Sequence, residues 1–264
     1  MKRDADRPNP FSERLLEILD HVEYRRVETS EDMEDVARIR FKAYQMADIL
    51  PLKGSMLIDE VDFDSHAYVF GIYYDERLIS TVRVHHVTPE HRVSSSASVF
   101  GREIDAFLDA GMSLIDPVRL AADPEVLRDM PAIPYLTLRV ATMASEHFDV
   151  DRCLSLVKPQ HAAFYKRVFD ADTIVTPQKN CGSYKIDLTL LAARVRDIRS
   201  WLYRRFPFFD SEPYERRLMF GGPKELPFTP LTVRPTARRA HGAQMRLAPA
   251  ARVDARLPRG GVRP

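Results

Sequence analysis

The stretch Ser113-Leu114-Ile115-Asp116-Pro117-Val118-Arg119-Leu120-Ala121 decides how the chain is read. Gly111 stops the helix before it, and its β-branched and apolar residues read as a strand. Two features resist a regular strand. Asp116 and Arg119 are three residues apart, so they would point to opposite faces. Pro117 has no N–H to give a central ladder. A β-bulge between or beside them relieves both problems, because one extra residue re-aims the side chains that follow.

Working outward, apolar spacing predicts a short helix over 11–21 and a strand over 22–27. Thr29 and Ser30 offer a cap to a helix running to about Met46, with Glu31, Asp32, Glu34 and Asp35 near its positive end. Strands over 68–74 and 78–87 flank the polar turn Asp75-Glu76-Arg77, which makes a hairpin. After a helix over 99–110 and the strand over 113–120, Pro134 opens a helix to about Phe148. Then come a buried strand over 153–157, a short helix over 161–169, strands over 173–176 and 183–188, and a last helix over 190–206. The order β-α-β-β-α-β-α-β-α-β-β, then a helix, is α/β with hairpins, not a doubly wound nucleotide fold.

Of 264 residues, 45% are hydrophobic and 29% charged, which excludes a wholly disordered chain. No apolar run approaches the roughly 18 residues of a membrane span, and the charged residues 1–10 show no secretory signal. Cys153 and Cys181 are too few for a disulfide framework and form no CxxC, so a cytoplasmic protein with two inert thiols is expected. There is no Gly-x-Gly-x-x-Gly, Walker loop, HExxH or acidic calcium loop, and no metal or bound cofactor is expected. His85 and His86 are adjacent in a strand and face opposite ways, so they cannot chelate one ion together. The net charge of +1 conceals an asymmetry: residues 232–264 hold eight arginines against one acid, Asp254. That segment carries +7 and the preceding residues −6, so 232–264 reads as a disordered Arg/Pro-rich tail. The expected layout is a helical extension over 1–21, one α/β domain over 22–231, and the tail.

The element order resembles the GNAT acyltransferase superfamily, and two local sequences sharpen the likeness. Leu156-Val157-Lys158-Pro159-Gln160-His161-Ala162-Ala163-Phe164-Tyr165-Lys166-Arg167-Val168-Phe169 looks like that superfamily's strand-then-helix segment, in which the helix carries a tyrosine and ends in Gly-Phe; here Val168 replaces the glycine. The second is a succession: Arg40-x-x-x-Tyr44 on the first long helix, the acidic patch Asp59-Glu60-Val61-Asp62-Phe63-Asp64, Arg83 in a strand, then Asp116-Pro117-Val118-Arg119. It is similar to the acyl-homoserine-lactone synthases and to the long-chain N-acyl amino acid synthases. Asp116 stands where the lactone synthases have Glu, and the tryptophan expected after their first helix is missing, since the only one is Trp201. Both departures favour the N-acyl amino acid branch over roughly residues 22–190. The Gln/Arg-x-x-Gly-x-Gly/Ala loop that holds the CoA diphosphate in GNAT enzymes has no counterpart in residues 121–133, which contain no glycine.

The resemblance implies a GNAT-like, largely antiparallel sheet flanked by helices. It implies an amide formed between a long-chain acyl group, delivered on the phosphopantetheine arm of an acyl carrier protein, and the α-amine of an amino acid. The bulge would splay two strands and free a main-chain amide for the thioester carbonyl, with Arg119, Leu120 and Ala121 beside the opening. Tyr165 would reprotonate the departing thiolate. Arg40, Tyr44, Asp64, Arg83, Leu120 and Ala121 fall to substrate binding, Asp62, Asp116, Arg119 and Tyr165 to catalysis. A partly buried arginine needs a carboxylate, so Asp62, Asp64 and Asp116 are expected to partner the arginines, either as an active-site network or as a brace of helix against sheet. The last helix, with Arg194, Arg196, Arg199, Arg204 and Arg205, would dock an acidic carrier protein or touch an anionic membrane peripherally, or simply keep a solvated face. No nucleic-acid partner is expected. The alternatives are a lactone synthase using S-adenosylmethionine, a non-catalytic relative that binds lipid or carrier protein, and a CoA-dependent acetyltransferase.

Overall fold

A computed structural model describes residues 10–247 apart from 180, 223 and 229; the expectations for residues 1–9 and 248–264 lie outside the described residues. The elements are α1 (Pro10–Ile18), β1 (Val22–Arg26), α2 (Ser30–Met46), β2 (Ala67–Tyr74), β3 (Arg77–Val87), α3 (Ala97–Asp109), β4 (Leu114–Ala122), α4 (Pro124–Asp129), α5 (Ile133–His147), β5 (Arg152–Val157), α6 (Ala162–Phe169), β6 (Asp172–Gln178), β7 (Leu188–Arg194), α7 (Val195–Arg205), α8 (Pro213–Phe220) and α9 (Ala237–Leu247). The Thr29 side chain accepts from the Asp32 N–H at 3.1 Å and starts α2. Asp75 and Glu76 both take positive φ, which gives β2 and β3 the two-residue turn that matches strand twist.

The seven strands form one sheet in the order β1-β2-β3-β4-β5-β7-β6. Every neighbouring pair is antiparallel except β4 and β5, which run parallel. The main core lies where α5, α7 and the Phe206–Phe209 turn meet the sheet, with Leu136, Val140, Val82, Val84, Ile115 and Phe208 inside it. A second cluster packs α3 through Phe100, Ile104 and Leu108 against Leu114, Leu154 and Leu190.

β4 behaves as its sequence implies. Against β3, Val118 pairs with Arg83 and Ala121 with Thr81, so Arg119 and Leu120 together oppose Val82. That is a bulge, and Arg119 absorbs it with φ of +53°. Against β5, pairing exists only at Leu114–Arg152 and Ile115–Cys153. Beyond Ile115 the two strands part, and Pro117 lies on the separated stretch, where a missing N–H removes no ladder bond to β5.

Three expectations need correction. Residues 183–187 are not a strand and no helix starts at Leu190; β7 occupies Leu188–Arg194 and α7 begins at Val195. Leu188 to Ala193 are all buried, and a continuous apolar run of that length fits a central strand as well as a helix. The segment from 232 is packed for at least its first part. Val233 exchanges two 2.9 Å main-chain bonds with Tyr24, and Ala237 and Ala240 are buried. Composition marked this segment as solvated, but Thr236 bonds to the buried Glu215 through both its N–H and its hydroxyl, which anchors it. Glu215 itself sits on α8, which charge patterning hides: it is fully buried and takes two bonds from Arg139 at 2.5 and 2.9 Å.

His85 and His86 point to opposite sides, as strand geometry requires. Burial, with Arg83 beside it, holds the fully buried His85 down at about 4. His86 stacks on Phe148 at 4.2 Å, and burial, with His66 and His147 nearby, also holds it at about 4. A histidine that stays neutral when folded but charges near 6.5 when unfolded stabilises the fold above about 6.5 and loses that contribution as pH falls to about 4. For His85 the loss is about 3 kcal/mol. Urea midpoints should fall with pH across that window; a flat profile would contradict the buried, neutral assignment.

Candidate active site

Where β4 and β5 separate, two cavities meet. The first has about 870 Å³ of empty space, its open mouth included, and is lined by Tyr44, Arg119, Leu120, Lys158, His161 and Tyr184 among others. The second, about 520 Å³ of empty space with its open side included, is a narrow slot between α5, β5, α6 and α7 on apolar walls such as Ala141, Phe169, Ile198 and Leu202. Pro117, Leu138, Ser155 and Tyr165 line both, so they mark the passage from one to the other.

A chain of alternating charges leads to the first cavity. Arg40 on α2 donates to Asp62 Oδ1 at 2.8 Å, and Arg83 on β3 donates to the same oxygen at 2.8 Å. Arg83 also reaches Asp59 Oδ1 at 2.6 Å, and Arg119 closes on Asp59 Oδ2 through Nε at 3.0 Å and Nη2 at 2.5 Å. Asp59 and Asp62 can do this because they flank one turn, in which the Asp59 N–H donates to Asp62 Oδ2 at 3.0 Å. Three arginines against two aspartates leave the chain with a surplus positive charge. Burial opposes charge on Asp59, yet Arg83 and Arg119 hold its carboxyl at about 2. Burial likewise opposes charge on Arg119, but Tyr44 and Asp59 raise its pKa above the usual value. Burial lowers the pKa of Arg40, with Asp62 opposing. Arg119 Nη1 is buried with no hydrogen-bond partner among the described residues, and the guanidinium lies 5.8 Å from the Tyr44 ring centre.

The expected residues therefore divide. Arg119, Leu120, Tyr44 and Tyr165 line the cavities. Arg40, Arg83 and Asp62 are fully or almost fully buried behind them and reach the cavity wall only through Asp59 and Arg119. Ala121 is buried in a cluster with Ile39 and Tyr44. Asp116 does not join the arginines: its oxygens take the Ser96 N–H at 3.1 Å and hydroxyl at 2.6 Å, because strand alternation turns it to the α3 side. Asp64 does not join them either; it lies past the turn and bonds His91 at 2.8 Å and the His66 N–H at 2.8 Å. Burial, with Cys153 nearby, raises the Tyr165 phenol above its usual value, while burial pushes the Cys153 thiol up to about 12.

The residue that sequence reasoning missed is Asp59, which joins Arg83 to Arg119. Its signal was present, since Asp59 and Asp62 are three residues apart and can cap one turn together. His161 was missed as well. It stands at the cavity mouth, and burial followed by the Lys158 charge lowers its pKa, leaving a neutral imidazole beside the gap.

A family model described as the N-acyl amino acid synthase FeeM matches residues 35–194. Among solved structures, FeeM, an N-acyl amino acid synthase from uncultured soil microbes, aligns with 69% of this chain and 93% of its own at 18% identity and a TM-score of 0.55. The acyl-homoserine-lactone synthase LasI aligns with 66% of this chain and 89% of its own at 14% identity and 0.47. BjaI, a CoA-dependent acyl-homoserine lactone synthase with MTA, aligns with 66% and 82% at 11% and 0.48. No curated protein matches the chain. The likeness to FeeM at this identity shows a shared acyltransferase fold, and the family match spans more than half of the sequence; the chain belongs to the FeeM family of N-acyl amino acid synthases.

Proposed function

We propose that this N-acyltransferase joins a long-chain acyl group, carried as a thioester on the phosphopantetheine arm of an acyl carrier protein, to the α-amine of an amino acid. The observation that carries the reading is the gap beyond Ile115, where a charged cavity and an apolar one meet. The alkyl chain lies in the apolar cavity and the amino acid in the other. The thioester carbonyl faces the unpaired edge of β4, whose main-chain donors stabilise the developing oxyanion. The Arg119 guanidinium, which lines this cavity, binds the acceptor carboxylate, supported by the surplus charge behind it.

Proton traffic falls to His161. The acceptor's ammonium first loses one proton to solvent; as the resulting amine attacks, His161, a neutral imidazole, takes the second. The new C–N bond forms, the C–S bond breaks, and the imidazolium returns the proton to the thiolate. Tyr165 differs from its expected part: a phenol whose pKa is raised holds its proton, so it donates a hydrogen bond to the sulfur without giving the proton away. Asp62 and Asp116 are poor bases, since arginines or Ser96 occupy their oxygens and neither lines a cavity among the described residues.

The α4 N-terminus supports a carrier-bound donor. Asp123 accepts the Glu125 N–H there at 2.9 Å and pairs with Lys42 and Arg77, so the chain's own carboxylate occupies the place a CoA diphosphate would need. Lys158 at the mouth and Lys166 and Arg167 on α6 offer an acidic partner positive charge with no ion pair among the described residues. Arg194 at the end of β7 and Arg196 and Arg199 on α7 suit it less, because they pair with Asp172, Asp149, Asp151 and Glu146. Among the described residues no helix is long and apolar enough to cross a membrane.

The test is purified protein with one acyl group offered either on carrier protein or on CoA, plus mixed amino acids, read by mass spectrometry. The expected result is an N-acyl amino acid and free carrier thiol, with carrier protein the better donor. Acyl amide from CoA alone would overturn the donor assignment, and no amide from either would overturn the reading.

A further inference from the structure

The apolar cavity ends on a polar wall. At its far end Glu146, Arg199 and Tyr203 replace the aliphatic lining, and the same three residues line an open groove on the other side, with Arg204, Asp210 and Arg216. Cavity and groove are thus separated by one layer of side chains. The layer is held together from three elements. Glu146 on α5 meets Arg199 on α7 at 2.6 Å, and Arg199 also reaches Asp149, in the turn after α5, at 3.1 Å. The Tyr203 phenol, almost fully buried, lies beside Glu146, and burial together with that carboxylate raises its pKa well above the usual value.

We infer that the Glu146–Arg199–Tyr203 layer is the stop that sets the longest acyl chain the enzyme accepts. This rests on the reading of the apolar cavity as the acyl site. A chain entering at the gap slides past Leu138 and Tyr165 and between α5 and α7 until its terminal methyl meets the layer. A longer chain has to separate a half-buried ion pair and set hydrocarbon against a carboxylate that has lost its partner, and such a group is costly to leave unpaired. A shorter chain leaves apolar wall uncovered, which weakens binding with each missing methylene. Rejection at the long end is therefore sharper than at the short end. The groove gives the long chain somewhere to go once the layer is removed, so the stop resides in these side chains and not in the fold behind them.

The test uses the full chain and the double variant Glu146→Ala/Arg199→Ala, which removes both charges and leaves no unpaired partner at 146 or 199. Each is assayed with a ladder of saturated acyl groups on carrier protein. The wild type should show a cut-off. The double variant should extend it, raising kcat/KM for the first excluded chain relative to the last accepted one by about tenfold or more. Ser145→Phe, on the wall of the same cavity, should move the cut-off toward shorter chains. An unchanged cut-off in a folded double variant overturns the inference. If the wild type makes no acyl amide with any chain, the acyltransferase reading fails. The stop is then read from displacement of a fluorescent fatty-acid probe by free fatty acids of rising length. A longer limit in the double variant upholds it, and equal limits overturn it.

Discussion

Replacing Asp62 by alanine should cost about 3–5 kcal/mol of stability, the range for breaking a buried ion pair from one side. For a chain of this size each kcal/mol is about 2–4 °C, so the melting temperature should fall by about 6–20 °C. The reason is arithmetic of charge in a place without water. Arg40 and Arg83 are fully buried, and both lean on one oxygen of Asp62. Arg83 keeps Asp59 and the Ser95 hydroxyl, but Asp62 provides the one hydrogen bond that the described structure gives the Arg40 side chain. Without it a guanidinium on α2 faces the sheet uncompensated, and the turn at 59–63 loses the carboxylate that caps it. Thermal scans and urea titration read the change. Full stability with lost activity would contradict this account and make Asp62 a group that acts on substrate.

Arg119→Ala should do the opposite, although it belongs to the same network. Asp59 still has Arg83 at 2.6 Å, and Arg119 stands at the cavity wall, so the melting temperature should move little. Losing a hydrogen-bonded charge from a carboxylate costs about 2–5 kcal/mol. At tenfold per 1.36 kcal/mol this lowers kcat/KM for the amino acid by about 30- to 5000-fold. Most of it should appear in KM for the acceptor, because the arginine binds a group that does not react. An acceptor amine without a carboxylate supplies the control. The wild type should discriminate strongly against it, and Arg119→Ala should lose that discrimination. If both enzymes prefer the amino acid equally, the carboxylate is held elsewhere.

The fold was legible where local chemistry and topology agree. Pro117, and the odd spacing of Asp116 and Arg119, called for a bulge, and the bulge falls at Arg119–Leu120 beside a real separation of strands. The hairpin at Asp75–Glu76 and the cap at Thr29 are equally local, and both are present. What escaped depends on burial, which pattern does not record. The apolar run of β7 has no period that tells a central strand from a helix. Glu215 and Thr236 look solvated by composition and are buried together. The candidate site was half legible for the same reason. Its residue types were visible, but their pairing was not. Asp116 and Asp64 qualified as partners of the arginines by type, and strand parity and the turn at 59–63 handed that place to Asp59 and Asp62. Arg194 and Arg199 likewise looked like part of a dock until their acidic neighbours on the β6 and α5 side came into view.

Everything functional here depends on the space that opens past Ile115. The most direct measurement is a crystal structure of the protein soaked with a long-chain N-acyl amino acid, the product of the proposed reaction. Its amide carbonyl is predicted to lie against the main chain of β4 near the Arg119–Leu120 bulge, its carboxylate on Arg119, and its alkyl chain between α5 and α7 with the terminal methyl short of Glu146. Density for the alkyl chain on the outer surface, or strands β4 and β5 closed over a ligand bound somewhere else, would contradict the account.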